Sequence, residues 1–311
     1  MLFSVVICSY NRIEHVLPSV ESVLAQTLPS GEYEVVVVDN CSTDGTAEAV
    51  QALAADNPEV RYLYEGRLGL ATARNTGWQA ARGTYVAFLD DDARAGTDWL
   101  ETARDLIERN PENLCCVGGP IHPFYTSPKP DWWLDSYEIR TRGDVQRHLN
   151  RGEAFSGSNM IWRREILETY GGFESTAGMK GAELGMGEET ALFRRVWDGE
   201  PNPIFLYEPD LRVYHWVPAE KMTMRYILKR ATANGQFEAR FALAQEGSSR
   251  LRLVGATLRT IAVEIPTVLL KRRHYRTTQN WYFEHCFIPI QHVSTLLRLL
   301  GLRISVSQRE S

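Results

Sequence analysis

Three carboxylates stand in a row at Asp90-Asp91-Asp92, directly after the apolar run Val86–Leu89. Like charges this close repel one another, so a buried cluster needs a compensating cation, and a hard divalent metal ion is the natural one. Side chains alternate along an extended chain, which sends Asp90 and Asp92 to the same side. The run therefore predicts a metal site, and an acidic surface turn is the alternative that three carboxylates alone leave open.

Two other apolar runs early in the chain also end in polar residues. The residues that follow them are Ser9, Tyr10 and Asn11 after the first run, and Asp39 and Asn40 after the second. In an open α/β sheet, ligands bind in the crevice beyond the carboxyl ends of the strands. We therefore expect these residues to meet the carboxylate run at one edge of a sheet.

Apolar runs of strand length alternate with helical periodicity through the first 120 residues, which is the pattern of a parallel sheet with crossover helices. The predicted strands are Phe3–Cys8, Tyr33–Val38, Val60–Tyr64, Thr84–Leu89 and Leu114–Val117. The predicted helices between them cover residues 16–24, 46–53, 70–81 and 99–107.

The composition of the sequence changes at Pro120, where prolines begin to interrupt a segment rich in aromatic residues. Proline is excluded from central strands and helix interiors, so the segment is predicted to be an excursion loop. Helices are predicted near 164–170 and 189–197, with a strand near 211–215. After Pro218 the chain is predicted to be mostly helical.

A dinucleotide-binding fold is the main competitor, because an acidic residue after the second strand also grips a ribose in that fold. The turn after the first strand, however, contains no glycine. A pyrophosphate on a helix N-terminus requires the close backbone approach of a G-x-G-x-x-G turn, and no P-loop pattern is present either. The dinucleotide-binding fold and the P-loop fold are therefore both disfavoured.

Four segments carry the polar residues in a fixed order: Ser4–Arg12, Val36–Thr46, Gly69–Gly77 and Phe88–Asp92. Together they closely resemble the family 2 glycosyltransferases with the GT-A fold, over about residues 2–216. The resemblance implies an α/β fold with a mostly parallel, Rossmann-like sheet flanked by helices. It also implies an inverting transferase that uses a nucleotide-activated sugar, with a UDP-sugar as the expected donor, and Mg²⁺ or Mn²⁺.

The resemblance further implies roles for the residues at the strand ends. The donor-binding residues would be Ser9, Tyr10, Asn11, Asp39, Arg74, Asp90 and Asp91, and Asp92 would bind the metal. A metal that bridges two phosphates stabilises the charge of a departing nucleoside diphosphate. The guanidinium of Arg74 suits phosphate oxygens, and capping a carboxylate at the surface is its alternative role.

Inversion needs a general base on the face of the sugar opposite the leaving group. The candidate lies at Glu188-Glu189. The family usually has Glu-Asp at this position, and the Asp is the base. The resemblance therefore implies that Glu189 is the base here, with a side chain one methylene longer than that of Asp. Glu188 is the alternative base and Glu183 a third candidate. Either member of the pair could instead be a first-turn carboxylate favoured by the helix dipole.

The second half of the chain also resembles the acceptor side of the family. The residues concerned are Ser156, Gly157 and Asn159, in a segment of small residues that would pass beneath the donor sugar. His215 matches a histidine that completes the metal shell in related folds, and a structural role is its alternative. Trp132 and Trp133 could stack on an acceptor sugar, although packing of the loop is equally expected for at least one of them.

The composition is that of an ordinary globular protein, with 44% hydrophobic and 23% charged residues among 311. A net charge of −5 argues against a nucleic-acid partner. Five cysteines without metal-ligand spacing indicate neither a disulfide framework nor a zinc site, so a reducing, cytoplasmic compartment is expected. Neither a signal peptide nor a membrane span is predicted.

We expect a glycosyltransferase domain over residues 1–218, with a nucleotide-sugar-binding half at 1–95 and an acceptor half at 96–218, followed by a helical basic extension at 219–311. From Arg250 onward the chain holds ten basic and three acidic residues, and the run 271–276 is the densest. This pattern predicts either contact with an anionic membrane surface or packing of amphipathic helices on the body.

The expected function is a nonprocessive, metal-dependent, inverting transfer of sugar to a glycan or lipid-linked acceptor of the cell surface or envelope. A transferase to polyprenyl phosphate or a small soluble acceptor is the alternative within this class. A noncatalytic sugar-nucleotide or glycan-binding module and a nucleotidyltransferase are alternatives from other classes. The Glu188-Glu189 pair argues against the binding module, because binding alone needs no base.

Overall fold

The computed structural model describes residues 1–110, 114–175, 187–243, 248–271, 275 and 277–304. These residues divide into two compact units. The first comprises residues 1–124, 138–175 and 187–216, and the second comprises residues 125–137 with the described residues from 217 onward. The first unit holds both β-sheets, and the second is mostly helical.

The first unit is built, over its described residues, around one sheet of eight strands and one of three. In chain order the strands are β1 (Phe3–Ser9), β2 (Tyr33–Asp39), β3 (Val60–Tyr64), β4 (Tyr85–Asp90), β5 (Ala93–Ala95), β6 (Leu114–Gly118), β7 (Ile121–Phe124), β8 (Arg147–His148), β9 (Met160–Arg163), β10 (Ile204–Tyr207) and β11 (Val213–Trp216). The larger sheet has the order β3-β2-β1-β4-β9-β6-β10-β8, and the smaller has the order β5-β11-β7. The mostly parallel α/β sheet predicted from the sequence is confirmed.

Helices cover both faces of the larger sheet. They are α1 (Ile13–Leu24), α2 (Thr46–Asp56), α3 (Leu70–Ala80), α4 (Trp99–Arg109), α5 (Arg164–Tyr170) and α6 (Glu188–Gly199). Val35 and Val37 of β2 join the apolar cluster formed with α1, α2 and α4, whereas Val36 and Val38 join the cluster formed with α3, α5 and α6. Burial on both faces explains why β2 reads as an unbroken valine run.

Strand β9 runs antiparallel to both of its neighbours, β4 and β6. Met160, its first residue, pairs with Phe88 near the end of β4. The residues that precede Met160 therefore lie at the same edge of the sheet as the carboxyl ends of the parallel strands. This direction brings a segment of the second half of the chain to the predicted ligand edge.

The excursion loop predicted from Pro120 onward is wrong for residues 121–124, which form β7. Pro123 lies within this strand. Strand β7 is at the edge of the smaller sheet, where a residue without an N–H is tolerated, so proline excludes a central strand and not an edge strand. The short strands β5 and β8 carried no sequence signal that distinguished them from loops, whereas β10 is the apolar run Ile204–Tyr207, which the predicted strands did not include.

The second unit contains the helices α7 (Met224–Leu243), α8 (Arg250–Lys271), α9 (Thr278–Trp281) and α10 (Phe287–Leu299), with a π-helical turn between the last two. As predicted, the described residues after Pro218 are mostly helical. A Cβ on Gly235 of α7 would lie 2.1 Å from the carbonyl oxygen of Gln291 in α10, so these helices pack closely only with glycine there. None of the described helices is long and apolar enough to span a lipid bilayer.

Candidate functional site

Asp91 is held by Ser9, the last residue of β1, and by Arg12, which follows that strand. Ser9 Oγ donates a 2.8 Å hydrogen bond to Asp91 Oδ2, and Arg12 Nη1 lies 3.3 Å from Asp91 Oδ1. The same nitrogen lies 2.5 Å from Asp92 Oδ2, so one guanidinium bridges two carboxylates of the run. Burial raises the pKa of Asp91 to about 7, although the charge of Arg12 opposes this.

Asp90, Asp92 and His215 form the candidate metal-ligand set. One ligand atom from each lies within 4.8 Å of the others. His215 Nε2 is 3.1 Å from Asp92 Oδ1 and 3.7 Å from Asp90 Oδ2. Strand β11 delivers the histidine, because His215 pairs with Ala93 of β5, one residue beyond Asp92. The same-side placement of Asp90 and Asp92 expected from strand alternation agrees with these distances.

The imidazole of His215 provides a test of whether this set suits a cation. His215 Nδ1 lies 3.0 Å from the carbonyl oxygen of Trp216, which can only accept, so we assign the ring proton to Nδ1. Nε2 then faces Asp92 Oδ1. Two acceptors 3.1 Å apart require a second proton or a cation between them. Two carboxylates and one imidazole therefore suit a divalent metal ion.

Asp90 also contacts the buried side chain of Arg74. Arg74 Nη2 lies 3.3 Å from Asp90 Oδ1. Burial alone would raise the pKa of Asp90, but the hydrogen bond from His215 and the charge of Arg74 outweigh it and lower that pKa. Asp90 is therefore held as a carboxylate.

Helix α3 brings Arg74 to this edge because it packs closely on the sheet. A Cβ on Gly77 would lie 2.3 Å from Cγ1 of Val6, so only glycine permits this approach. Arg74 Nη1 lies 2.9 Å from Glu188 Oε1 and 3.4 Å from Glu189 Oε1. The structure thus surrounds Arg74 with three carboxylates, and its contact with donor phosphates stays a prediction.

Glu188 and Glu189 begin helix α6, and Gly187 precedes them with a φ of 99° that favours glycine. The Glu188 side chain is only 4% exposed, whereas that of Glu189 is 21% exposed. Burial and the charge of Glu189 raise the pKa of Glu188 to about 7, against the effect of Arg74. Glu188 Oε2 is buried without a hydrogen-bond partner in the described part of the chain. Of the two, Glu189 is the carboxylate that a substrate could reach.

The segment before β9 covers the Arg74–Glu189 contact. A Cβ on Gly157 would lie 2.2 Å from Arg74 Nη2 and 2.3 Å from Glu189 Oε1, so no larger residue fits beside this ion pair. The next residue, Ser158, accepts a 3.3 Å hydrogen bond from the backbone N–H of Asp90. Gly157, predicted on the acceptor side, therefore lies against the candidate base.

Asn159, also predicted on the acceptor side, is buried. Its side-chain amide donates hydrogen bonds to the carbonyl oxygens of Pro120 and Leu211, and its oxygen accepts one from the indole N–H of Trp99. These bonds tie the start of β9 to the smaller sheet. Ser156 is half-buried, and its carbonyl oxygen accepts from the Asn159 N–H. The acceptor roles of Ser156 and Asn159 stay predictions.

Asp39 ends β2 and is 1% exposed. Its Oδ1 accepts a 2.9 Å hydrogen bond from the Ser42 N–H, and its Oδ2 accepts one of 2.9 Å from the Tyr62 hydroxyl. Burial and this bond raise the pKa of Tyr62 to about 12. Both contacts hold the Asp39 carboxylate in place at the end of β2, and its contact with the nucleoside stays a prediction.

The remaining donor-side candidates follow β1. Asn11 has a φ of 52°, and its Oδ1 accepts a 2.7 Å hydrogen bond from the Thr43 N–H, which joins the turns after β1 and β2. Tyr10 is half-buried, and the hydroxyl of Ser9 is engaged by Asp91. The structure therefore brings the predicted donor residues to one edge of the sheet.

Trp132 and Trp133 belong to the second unit and not to the first. Trp133 is 4% exposed, donates its indole N–H to the Tyr125 hydroxyl and packs edge-on against Tyr137. Trp133 is thus a packing residue, the role that the sequence left open for one of the pair. Trp132 is half-buried, and its stacking on an acceptor sugar stays a prediction.

Two predictions concern residues outside the described ones. They are the third base candidate, Glu183, and positions 272–274 and 276 of the basic run 271–276. Arg12 is the site residue that sequence reasoning missed. It closes the first motif, Ser4–Arg12, so its position was visible, but nothing in the sequence indicated that it would bridge Asp91 and Asp92.

Residues 4–171 match the family described as Glycosyl transferase family 2. A glucosyl-dolichyl phosphate glucuronosyltransferase of Haloferax volcanii is 30% identical over 227 residues, which cover 69% of each chain. The chain belongs to glycosyl transferase family 2. The family resemblance and the glycosyltransferase activity expected from the sequence are confirmed.

Two further relatives match over half of the chain or more. The glycosyltransferase AglE of the same organism is 32% identical over 172 residues, which cover 55% of this transferase and 55% of the relative. The match to a succinoglycan biosynthesis protein of Rhizobium meliloti is 26% identical and covers 75% of this chain and 73% of the relative.

Solved structures show the fold of this transferase. A mannosyltransferase from Pyrobaculum calidifontis in complex with GDP-Man and Mn²⁺ matches with a TM-score of 0.62 and 20% identity, covering 95% of this chain and 87% of that one. TarS of S. aureus in complex with UDP-GlcNAc matches with a TM-score of 0.57 and 18% identity, covering 97% and 92%. The predicted GT-A fold is confirmed.

Proposed function

We propose that this glycosyltransferase moves a sugar, with inversion, from a nucleotide-sugar donor to a hydroxyl group of a glycan or lipid-linked acceptor, and that it uses Mg²⁺ or Mn²⁺. The observation that carries the proposal is the position of Arg74 between Asp90 and the Glu188-Glu189 pair. One guanidinium joins the metal-ligand set to the candidate base. The residues that would bind the leaving group are thus adjacent to the residue that would accept the proton of the attacking hydroxyl.

Asp90, Asp92 and His215 would hold the cation. When bound, a divalent cation stabilises the negative charge that develops on the diphosphate leaving group. Arg12 contacts Asp92 Oδ2 at 2.5 Å, and we assign Asp92 Oδ1, on the side of His215, to the cation. The Arg12 contact restricts rotation of the Asp92 carboxylate, which keeps that oxygen directed at the site.

Glu189 is assigned as the general base. Its carboxylate accepts the proton of the acceptor hydroxyl while that oxygen attacks the anomeric carbon on the face opposite the diphosphate, and the bond to the diphosphate breaks. The 3.4 Å contact with Arg74 and the close approach of Gly157 hold the Glu189 side chain in position. Glu188 is too buried to reach a substrate and serves to anchor Arg74.

The donor is assigned to the edge formed by the ends of β1, β2 and β4. Tyr10, Asn11 and Asp39 are the residues we assign to the nucleoside. The solved structures with GDP-Man and UDP-GlcNAc support a nucleotide-sugar donor for this fold without selecting the base. We retain a UDP-sugar as the donor.

The acceptor is assigned to the lipid-linked class, which is supported by the similarity to the glucosyl-dolichyl phosphate glucuronosyltransferase of Haloferax volcanii. Helix α8 supports a membrane location for residues 219–311. In the sequence this extension follows a catalytic domain at 1–218. Leu251 and Val263 of this helix are 84% and 71% exposed, and Arg252 and Arg259 are exposed with them. A helix with this pattern suits the interface of an anionic leaflet, which we take to be the cytoplasmic one.

Thermal denaturation of the protein with UDP, GDP, dTDP and CMP, each with and without Mn²⁺, tests the proposal. A ligand that binds only the folded state raises the melting temperature. We expect UDP to give the largest increase, and only with Mn²⁺. Equal stabilisation with a chelator present would refute the metal dependence, and no stabilisation by any nucleotide would refute the donor class.

A further inference from the structure

The outer side of the three-stranded sheet in the first unit carries a continuous set of rings and one cation, which we call the aromatic face. Its members are His15, Arg94, His122, Phe124, Tyr214 and Trp216. We propose that the aromatic face binds an anionic sugar of the acceptor, an inference that rests on the proposed function and extends it to a second binding surface.

Strand register establishes that these side chains share one side of the sheet. Tyr214 lies directly opposite Arg94 of β5 and directly opposite His122 of β7, and Trp216 lies opposite Phe124. Residues directly opposite each other project from the same side of a sheet. The His122 and Tyr214 ring centroids are 5.9 Å apart.

Alternation along β11 separates this face from the metal-ligand set while keeping the two adjacent. His215, between Tyr214 and Trp216, projects from the opposite side, toward Asp90 and Asp92. The Trp216 N–H donates a 2.9 Å hydrogen bond to the carbonyl oxygen of Asp92. The aromatic face therefore begins one residue away from the candidate metal ligands.

Helix α1 extends the face toward the carboxylate run. The His15 ring lies 4.1 Å from the Trp216 ring, centroid to centroid. Burial and the charge of Arg12 lower the pKa of His15, which favours its neutral ring. His15 therefore adds ring surface to the face and no charge at neutral pH.

Arg94 supplies the charge of the aromatic face. Its guanidinium lies 5.4 Å from the centre of the Phe124 ring, and one of its nitrogens donates a 2.9 Å hydrogen bond to the carbonyl oxygen of Ala93. Over the described residues, no carboxylate lies within ion-pair distance of Arg94. A half-buried guanidinium has five donors, so several remain for an anionic ligand.

Rings beside a guanidinium that makes no direct ion pair over the described residues favour an anionic carbohydrate over a purely apolar ligand. Tyrosine and tryptophan present an apolar face to the C–H side of a sugar ring and a polar atom to its hydroxyls. A guanidinium binds either a phosphate or a carboxylate with two parallel hydrogen bonds. The anion could thus be the phosphate of a sugar phosphate or the carboxylate of a uronic acid. The donor diphosphate belongs to the other side of β11, so the acceptor is the ligand that fits here.

Calorimetric titration of the full chain with glucose 1-phosphate, glucuronate and methyl glucoside tests the proposal. We expect both anions, or one of them, to bind more tightly than methyl glucoside, and the tighter anion identifies its source. Arg94→Gln should weaken binding of that anion by about tenfold and leave methyl glucoside unchanged. Tyr214→Ala, at a side chain that is 39% exposed, should weaken all three ligands.

Arg109→Gln is the matched control, because Arg109 is a 74% exposed arginine at the end of α4. The proposal is overturned if Arg94→Gln and Arg109→Gln give the same affinities, or if the wild type binds neither anion at about 10 mM. Binding of UDP with Mn²⁺ should be unchanged in Arg94→Gln and Tyr214→Ala. If the wild type does not bind UDP, the result counts against the proposed function and not against the aromatic face. The sugars are titrated onto the aromatic face without any nucleotide present.

Discussion

Arg74 Nη1 and Glu188 Oε1 lie 2.9 Å apart, in a position where each side chain is 4% exposed. The two residues are separated by 114 positions in the sequence. Their contact joins α3, which packs on the sheet, to the first turn of α6, which carries both candidate bases. The pair thus connects the helix that follows β3 to the carboxylates that are the candidate bases.

Arg74→Gln should lower the free energy of unfolding by about 3–5 kcal/mol, because it leaves buried carboxylates without their cation. Urea denaturation measures this effect. Addition of Glu188→Gln to the same chain should restore part of the loss, since the two positions are coupled. Arg109→Gln, at an exposed arginine, should change the stability by no more than about 0.5 kcal/mol. A similar loss in both single variants would contradict the buried ion-pair argument.

Glu189→Gln should reduce sugar transfer by about two to four orders of magnitude while UDP and Mn²⁺ still bind. Glu188→Gln is the matched comparison, because it makes the same change at the neighbouring residue. No substrate reaches the Glu188 side chain. We expect the smaller loss of transfer in Glu188→Gln. If the larger loss occurs there, the base is Glu188.

The stability difference between Glu188→Gln and the wild type should depend on pH. Burial raises the pKa of Glu188 from its ordinary value of 4.5 to about 7 in the folded chain, so the folded state binds its proton more tightly than the unfolded state. Wild-type stability is therefore penalised as the pH rises from about 4.5 to 7, and the penalty is complete above that range. Urea denaturation at pH 5, 6, 7 and 8 should give a relative gain for Glu188→Gln that grows over this interval. A pH-independent difference would refute the raised pKa.

Asp92→Asn should abolish Mn²⁺ binding and metal-dependent transfer and leave the fold intact, because the candidate set loses a carboxylate charge. Mn²⁺ binding is measured directly by electron paramagnetic resonance, and the fold by circular dichroism. Asp98→Asn, at the start of α4, is a control for the loss of one carboxylate. Full transfer by Asp92→Asn in the presence of a chelator would rule out this metal site.

Leu251→Glu and Val263→Glu should each reduce sedimentation of the protein with anionic vesicles, because each replaces an exposed apolar side chain of α8 with a negative charge. Val145→Glu is the matched control: Val145 is 73% exposed, close to the 71% of Val263, and lies in the first unit. Binding should weaken at high salt because basic residues contribute to it. Wild-type protein that stays in the supernatant at low salt would refute the membrane location.

The sequence predicts the parts of the site that depend on neighbouring residues. Strand alternation places Asp90 and Asp92 on one side, and the parallel pattern brings the ends of β1, β2 and β4 to one edge. These relationships follow from local geometry, so no knowledge of distant pairing is needed.

Contacts between distant residues could not be predicted in this way. One sequence carries no information on which acidic residues surround Arg74, and a buried arginine has the same sequence signal as an exposed one. The same holds for Arg12, whose bridge to Asp91 and Asp92 requires α1 to start beside the end of β4. Strand β7 was missed for a different reason, because the edge position that tolerates Pro123 is a property of the assembled sheet.

The insertion of β9 between β4 and β6 has a consequence for synthesis of the chain. Until residues 160–163 have left the ribosome, β4 lacks its neighbour β9, and β6 lacks both of its neighbours, β9 and β10. Unpaired strand edges are sites of intermolecular pairing, so nascent chains or fragments that stop before residue 160 present unpaired edges on both β4 and β6. We therefore expect the strand that delivers Gly157 to the candidate base also to reduce pairing between growing chains, because it covers one edge of β4 and one edge of β6.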